Sequence, residues 1–179
     1  MNKDLIIPEV YAACRQLVNQ GFQAYLAGGA VRDIIRGVAP HDWDIVTDAR
    51  PEEVESIFAR TFPSGKKYGT ISVMIDKVII EVTTMRRDGA YSDGRRPDMV
   101  VYTSDLALDL ARRDFTINAM AYDPINDKMV DPYGGYKDLK RKLIRTVGDA
   151  RRRFHEDALR MMRMLRFFAV LGFKVDRQA

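Results

Sequence analysis

The sequence predicts an α+β fold: a small mixed or antiparallel sheet with helices packed on it, followed by a helical segment. Three observations predict it. Apolar runs of strand length at 22–27, 42–47 and 71–83 alternate with segments of helical period. The third run folds back on itself around Asp76-Lys77, which is a hairpin signal. From Ala150 onward the pattern is helical, broken by Gly172.

The elements follow in order. Residues 4–20 place Val10, Ala13, Cys14, Leu17 and Val18 at helical spacing, and Gly21 stops the helix. Phe22 to Ala27 reads as a short strand, Gly28-Gly29 as a tight turn, and Ala30 to Arg36 as a helix closed by Gly37. Asp42 to Thr47 is a strand. Asp48 to Phe62 begins with Pro51 and Glu52-Glu53, a favourable helix start. Ile71 to Ile75 and Val78 to Thr83 form the hairpin. Residues 86–97 (RRDGAYSDGRRP) lack apolar periodicity and read as a mobile loop. Leu106 to Arg112 is helical, and Ile117 to Asp123 mixes helix and strand signals. Met129 to Asp131 is β-like, and Tyr133 to Tyr136 turns the chain.

Composition excludes several classes. The chain has 179 residues, 46% apolar and 30% charged, which suits an ordinary globular protein. No apolar run approaches the ~20 residues that span a bilayer, and the first residues lack a secretory pattern. One cysteine, Cys14, allows no disulfide framework and no cysteine zinc site within the chain. The expectation is a soluble, cytoplasmic protein with no membrane partner. Basic residues outnumber acidic ones by 29 to 25. The excess gathers late: 137–153 alone holds eight Lys or Arg, and Arg160, Arg163 and Arg166 follow. That tilts the expectation toward a polyanionic partner.

The stretch HDWDIV carries the first chemical signal. Strand side chains alternate, so Asp42 and Asp44 face one way while Trp43 and Ile45 face a core. Two like charges on one face call for a cation between them, and hard oxygen ligands suit Mg²⁺. Glu81, interrupting the apolar run 78–82, is the candidate for a third carboxylate on a neighbouring strand. A lone D-x-D is short, and a solvated acidic face explains it equally well. D-x-D-x-V also resembles the aspartyl-phosphate motif of haloacid-dehalogenase-like phosphatases. Those enzymes need a later lysine and acidic pair that this chain does not supply convincingly.

What precedes the pair is more telling. Tyr25 to Asp33 (YLAGGAVRD) is strand, Gly-Gly, helix. Glycine amides at a helix start accept an anion closely, and Arg32 on the first turn can clamp it. A phosphate cradle about ten residues ahead of a metal-binding strand is the arrangement needed for a nucleoside triphosphate with its cation.

GGAVRD followed by DWDIVT resembles the nucleotidyltransferase signature of the DNA polymerase β superfamily. EVTTMR, YSDGRRPD, RRDFTINAMA, DPYGGYKDL and RFHEDALRMMRMLRF are similar to class II tRNA nucleotidyltransferases, the CCA-adding enzymes and their bacterial poly(A) polymerase relatives. The resemblance spans about Tyr25 to Phe168. It implies a catalytic head at 1–148 and the start of a helical neck at 149–179, in a family whose chains usually continue further. It also implies Mg²⁺-dependent addition of C or A, from CTP or ATP, to the tRNA 3′ end.

By that resemblance Asp42 and Asp44 hold metal and, with Glu81, make the catalytic centre. Gly28, Gly29, Arg32 and Arg113 hold the nucleotide, with Asp114 and Asn118 shaping the site or meeting the ribose. A local ion pair is the plainer reading of Arg113-Asp114. At ~100° per residue, Asp157, Arg160, Arg163 and Arg166 share one arc. Ala158, Met161, Met162, Leu165, Phe168 and Ala169 share the opposite one. Alone, that pattern describes an amphipathic helix with a solvated face. The family's protein template for base choice is carried to Asp157 and Arg160, with Arg163 and Arg166 adding contacts. The loop at 86–97 resembles a family element linked to switching from C to A addition, with Arg95 and Arg96 near the RNA. Three alternatives stay open: A-only addition, poly(A) synthesis, and a nucleotide- or RNA-binding module without turnover.

Overall fold

In the computed structural model, residues 2–91, 94 and 97–178 are described. Seven helices pack around a seven-stranded mixed sheet. The elements run α1 (Pro8–Asn19), β1 (Ala24–Ala27), α2 (Gly29–Arg36), β2 (Asp44–Thr47), α3 (Pro51–Ile57), β3 (Thr61–Gly65), β4 (Thr70–Ile75) and β5 (Val78–Thr84). Then come β6 (Arg86–Asp88), β7 (Val100–Tyr102), α4 (Leu106–Ala111), β8 (Ala121–Asp123), β9 (Lys128–Val130) and α5 (Gly135–Lys140). The chain ends with β10 (Leu143–Ile144), α6 (Ala150–Glu156), α7 (Leu159–Leu171) and β11 (Lys174–Val175). The sheet order is β3-β4-β5-β2-β1-β8-β9. All its pairings are antiparallel except β2 with β5.

Alternation places a core on each face of the sheet. Leu26 and Ile45 join α1 and α2 in the larger core, through Val10, Cys14, Leu17, Val31 and Ile34. Their neighbours Ala27 and Val46 turn to a smaller cluster with Met85, Leu110 and Ala121. Cys14 is fully buried, and its thiol is pushed up to about 12, chiefly by burial. It is a core residue. No helix among the described residues is long and apolar enough to cross a membrane.

Five local expectations need correction. The first helix starts at Pro8, after a 3-10 turn at Lys3–Leu5. The helix expected to reach Phe62 stops at Ile57. Thr61 and Phe62 instead pair with Val73 and Ser72, making an edge strand, because tertiary pairing outweighs the local helical pattern. The strand expected from Asp42 begins at Asp44, with Asp42 in the preceding bend. The loop at 86–97 begins as a strand: Arg86, Arg87 and Asp88 pair with Tyr102, Val101 and Val100. Arg95 and Arg96 lie outside the described residues. The last helix breaks at Asp157, before Gly172 is reached.

The two arcs of α7 are as expected, but the packing is reversed. The arginine side faces the protein, with Arg160 and Phe167 buried. The apolar arc faces outward: Met162 is 64% exposed, Leu165 55% and Phe168 54%.

Candidate functional site

A cavity of about 820 Å³ opens where the end of β1, the start of β2, the 3-10 turn at Thr116–Asn118 and α7 meet. It gathers residues from Gly28 to Leu171. Eight arginines and six aspartates line it, so it is a polar site suited to a highly charged ligand. Gly28, Gly29, Arg32, Asp42, Asp44, Arg113, Asp114, Asn118, Asp157, Arg160, Arg163 and Arg166 all lie on its wall. Glu81 does not. It stands outside the wall, opposite Asp44 in the parallel β2–β5 register.

Asp44 opens β2 and is set by strand geometry, while Asp42 stands two residues ahead in the bend. Trp43 and Ile45 are 7% and 0% exposed, which turns Asp42 and Asp44 to the cavity. Burial raises Asp44 above the usual carboxylate value against the pull of Arg113, and the charge of Asp42 adds to the rise. Glu81 is raised by burial and then by the charges of Asp44 and Asp42. None of the three accepts a hydrogen bond or ion pair from a described residue. The site therefore carries uncompensated negative charge.

The anion cradle lies beside it. Gly28 has φ +70°, and Gly29 opens α2, leaving the amides of the first turn free of helical partners. A Cβ on Gly28 would stand 2.7 Å from Arg113 Nη1 and 3.5 Å from Asp44 Oδ2. Gly28→Ala is thus expected to cost about 1–3 kcal/mol in backbone strain and to push Arg113 aside. Thermal melts with and without CTP check this. A variant that melts and responds to CTP like the parent would contradict it.

Arg113 is loosely held. Nη1 donates to the Asn118 carbonyl at 3.5 Å, Nη2 stands 3.7 Å from Asp109 Oδ2, and Nε has no partner. Burial pushes its guanidinium below the usual value, with Asp109 opposing. It does not pair with Asp114, as the plainer reading supposed. Asp114 instead accepts from Arg163 Nε at 2.6 Å and from Asn118 Nδ2 at 3.2 Å. Arg32 donates two parallel bonds to Asp33, at 3.0 and 2.8 Å, and one to Asn118 Oδ1 at 2.8 Å. A chain Arg32–Asn118–Asp114–Arg163 so ties α2 to α7. Phe167 sits beneath Arg32, Arg163 and Arg166, whose guanidinium carbons lie 5.3, 5.5 and 5.3 Å from its ring centre.

At the break between α6 and α7, Arg160 Nη1 donates to Glu156 at 2.7 Å and to the Arg153 carbonyl at 3.0 Å. Nη2 donates to the Arg112 carbonyl at 3.2 Å. Nε and one Nη2 hydrogen are left over. Asp157 Oδ1 accepts from the Leu159 amide at 2.9 Å, and Oδ2 has no partner among the described residues. The Ala158 amide donates to the Gly94 carbonyl at 3.1 Å, and Tyr91 lies 5.8 Å from the Arg160 guanidinium. The 86–97 segment therefore touches this end of the cavity.

Sequence reasoning missed Asp109, which has no exposed side-chain surface and holds Arg112 and the Arg86 amide through Oδ1. Its one signal was a lone acid in the apolar helix LALDLA. Asp33 and Phe167 were also missed as partners of the arginines.

Residues 24–145 match the family model described as Poly A polymerase head domain. The chain belongs to this family. The chain is 50% identical over 161 residues to a CCA-adding enzyme of Geobacillus thermodenitrificans, covering 90% of this chain and 40% of that one. It is 52% identical over 159 residues to one of Bacillus pumilus, covering 89% and 40%. Among solved structures, the CCA-adding enzyme of Bacillus stearothermophilus in complex with CTP superimposes with a TM-score of 0.88 at 43% identity, over 97% of this chain and 42% of that one. A tRNA nucleotidyltransferase complexed with a primer tRNA and an incoming ATP analogue gives 0.72 at 33% identity, over 93% and 47%. The chain spans about 40% of the length of the curated relatives it matches.

Nucleotidyltransferases of this kind use a divalent metal. Exposed Asp42 and half-buried Asp44, neither hydrogen-bonded by a described residue, offer hard oxygen donors that fit such an ion. Among the described residues, no group of three or more His, Cys, Asp or Glu is gathered into a metal cage. The donor set therefore suits a cation that completes its shell from substrate oxygens.

Proposed function

We propose that this chain carries the catalytic head of an RNA nucleotidyltransferase that adds C and A, from CTP and ATP, to the tRNA 3′ end with Mg²⁺. The observation that carries the proposal is the pair Asp42 and Asp44, unpartnered beside the Gly28 turn and an arginine-lined wall. The glycine amides, Arg32 and Arg113 hold the triphosphate. Asp42 and Asp44 hold the cation, and Glu81 adds negative charge beside them. Held by Asp42 and Asp44, Mg²⁺ would supply charge neutralisation at the phosphates and would lower the pKa of the attacking hydroxyl.

Base choice follows from hydrogen-bond direction. Cytosine and adenine each offer an amine beside a ring-nitrogen acceptor, whereas uracil and guanine reverse that order. Asp157 Oδ2, without a partner among the described residues, would accept from the amine, and Arg160 Nε would donate to the ring nitrogen. Arg163 and Arg166 add phosphate or base contacts. The Bacillus stearothermophilus relative was solved in complex with CTP, which supports CTP as a ligand here.

Incubating the chain with tRNA lacking its 3′ end, Mg²⁺ and labelled CTP or ATP tests the function. Extension with both is expected, extension with ATP alone narrows it to A addition, and nucleotide binding without extension overturns it. Asp157→Ala is expected to erode discrimination against UTP and GTP by about tenfold, the worth of ~1–3 kcal/mol for one unsatisfied group. Incorporation of all four nucleotides reads it out, with Asp157→Asn separating base contact from the Leu159 cap. An unchanged preference in Asp157→Ala would remove Asp157 from the template.

A further inference from the structure

Resting on the RNA reading above, we propose that a second cleft, lined by Arg145, Arg151 and Arg177, grips the phosphate backbone of the RNA upstream of its 3′ end. The cleft holds about 540 Å³ between the segment 145–151 and the turn at 176–178. It shares no lining residue with the first cavity.

Charge is the first argument. Residues 137–153 carry eight Lys or Arg against two acids. One of the two is buried and paired; the other, Asp149, is exposed at the start of α6. Asp138 is 3% exposed and accepts from Thr116 and Arg145, and Asp149 accepts from the Arg152 amide at the start of α6. Asp176, the third acid near the cleft, accepts from the Gln178 amide. Arg151 and Arg177 are exposed and have no carboxylate partner among the described residues. The β10–β11 pairing sets Lys174 opposite Leu143, next to Lys142, and both lysines are exposed. The lining sets Arg145, Arg151 and Arg177 against Asp149 and Asp176, and the Lys and Arg of 137–153 around it tip the surface positive; guanidinium forks match phosphate.

Position is the second argument. Asp149, at the start of α6, lines this cleft, and Asp157, at its end, lines the first cavity. Eight residues of helix span about 12 Å at ~1.5 Å each. At roughly 3.4 Å of rise per nucleotide, that is three or four steps of an RNA strand. An RNA that follows α6 from the Asp157 end toward Asp149 would bring phosphates three or four steps upstream level with Arg151.

The test measures anisotropy of a labelled RNA hairpin with a single-stranded 3′ tail on the whole chain, across a KCl series. Arg151→Ala/Arg177→Ala is compared with the parent and with Arg151→Lys/Arg177→Lys. Arg145 is left intact because it holds Asp138. The alanine pair is expected to flatten the slope of log affinity against log salt by about 1.4–1.8, two contacts at ~0.7–0.9 each. The lysine pair is expected to restore it, and CTP binding to stay at the parent level in both. An unchanged slope, no RNA binding by the parent, or a parallel loss of CTP binding overturns the cleft. A parent that binds RNA with the expected slope yet adds no nucleotide overturns the function above and leaves the cleft standing.

Discussion

Asp44→Asn is expected to lower nucleotide addition by about a thousandfold or more, equivalent to ~4 kcal/mol of lost transition-state stabilisation, while making the metal-free protein more stable. The first half follows from removing one of two carboxylates that hold the cation. The second follows from the environment of Asp44: burial and Asp42 both disfavour its charge, and Arg113 offsets them only in part. Asparagine keeps the shape and removes the charge. In chelator the variant should melt about 2–4 °C above the parent, a gain of ~1 kcal/mol. Adding Mg²⁺ should raise the parent's melting temperature and leave the variant's nearly unmoved. A variant that melts lower in chelator, yet gains as much from Mg²⁺, would show that Asp44 is neither strained nor a ligand.

Gly135→Ala is expected to be the most damaging single-methyl change, destabilising the fold by about 3 kcal/mol or more and lowering the melting temperature by roughly 6–12 °C. Gly135 is buried where α5 packs on the 3-10 turn carrying Thr116 to Asn118. An added Cβ would overlap the Thr116 carbonyl oxygen and stand 2.8 Å from Met120 Cγ. Backbone cannot yield as a side-chain end can, so the turn must shift. Asn118 shifts with it and loosens its bonds to Arg32 and Asp114. The variant should therefore lose nucleotide affinity along with stability, measured by melting and by equilibrium CTP binding. A parent-like melt would mean that α5 and the turn separate freely.

The sheet and its carboxylates were legible because period-two alternation in a half-buried strand is a strong local signal. Trp43 and Ile45 inward forces Asp42 and Asp44 outward. The Gly28 turn was legible because a strand, two glycines and a helix leave few other geometries. The strand at Thr61–Gly65 was not, since it exists only through its pairing with β4, which no local window contains. The hydrophobic pattern of α7 taken alone does not give its packing, for a similar reason. Hydrophobic pattern alone puts Met162, Leu165 and Phe168 inside, whereas the arginine arc docks on the head through buried Phe167, Asp114 and the Arg112 carbonyl. Asp109 escaped because a fully buried acid looks like a solvated one until its arginine partners fold onto it.

Phe167 joins the two walls of the cavity through one ring. It carries guanidiniums from both sides, and it meets Phe115 edge-on at 5.7 Å. Neither wall can therefore be displaced alone: a shift of α7 removes the apolar support of Arg32 on α2 together with that of its own Arg163 and Arg166.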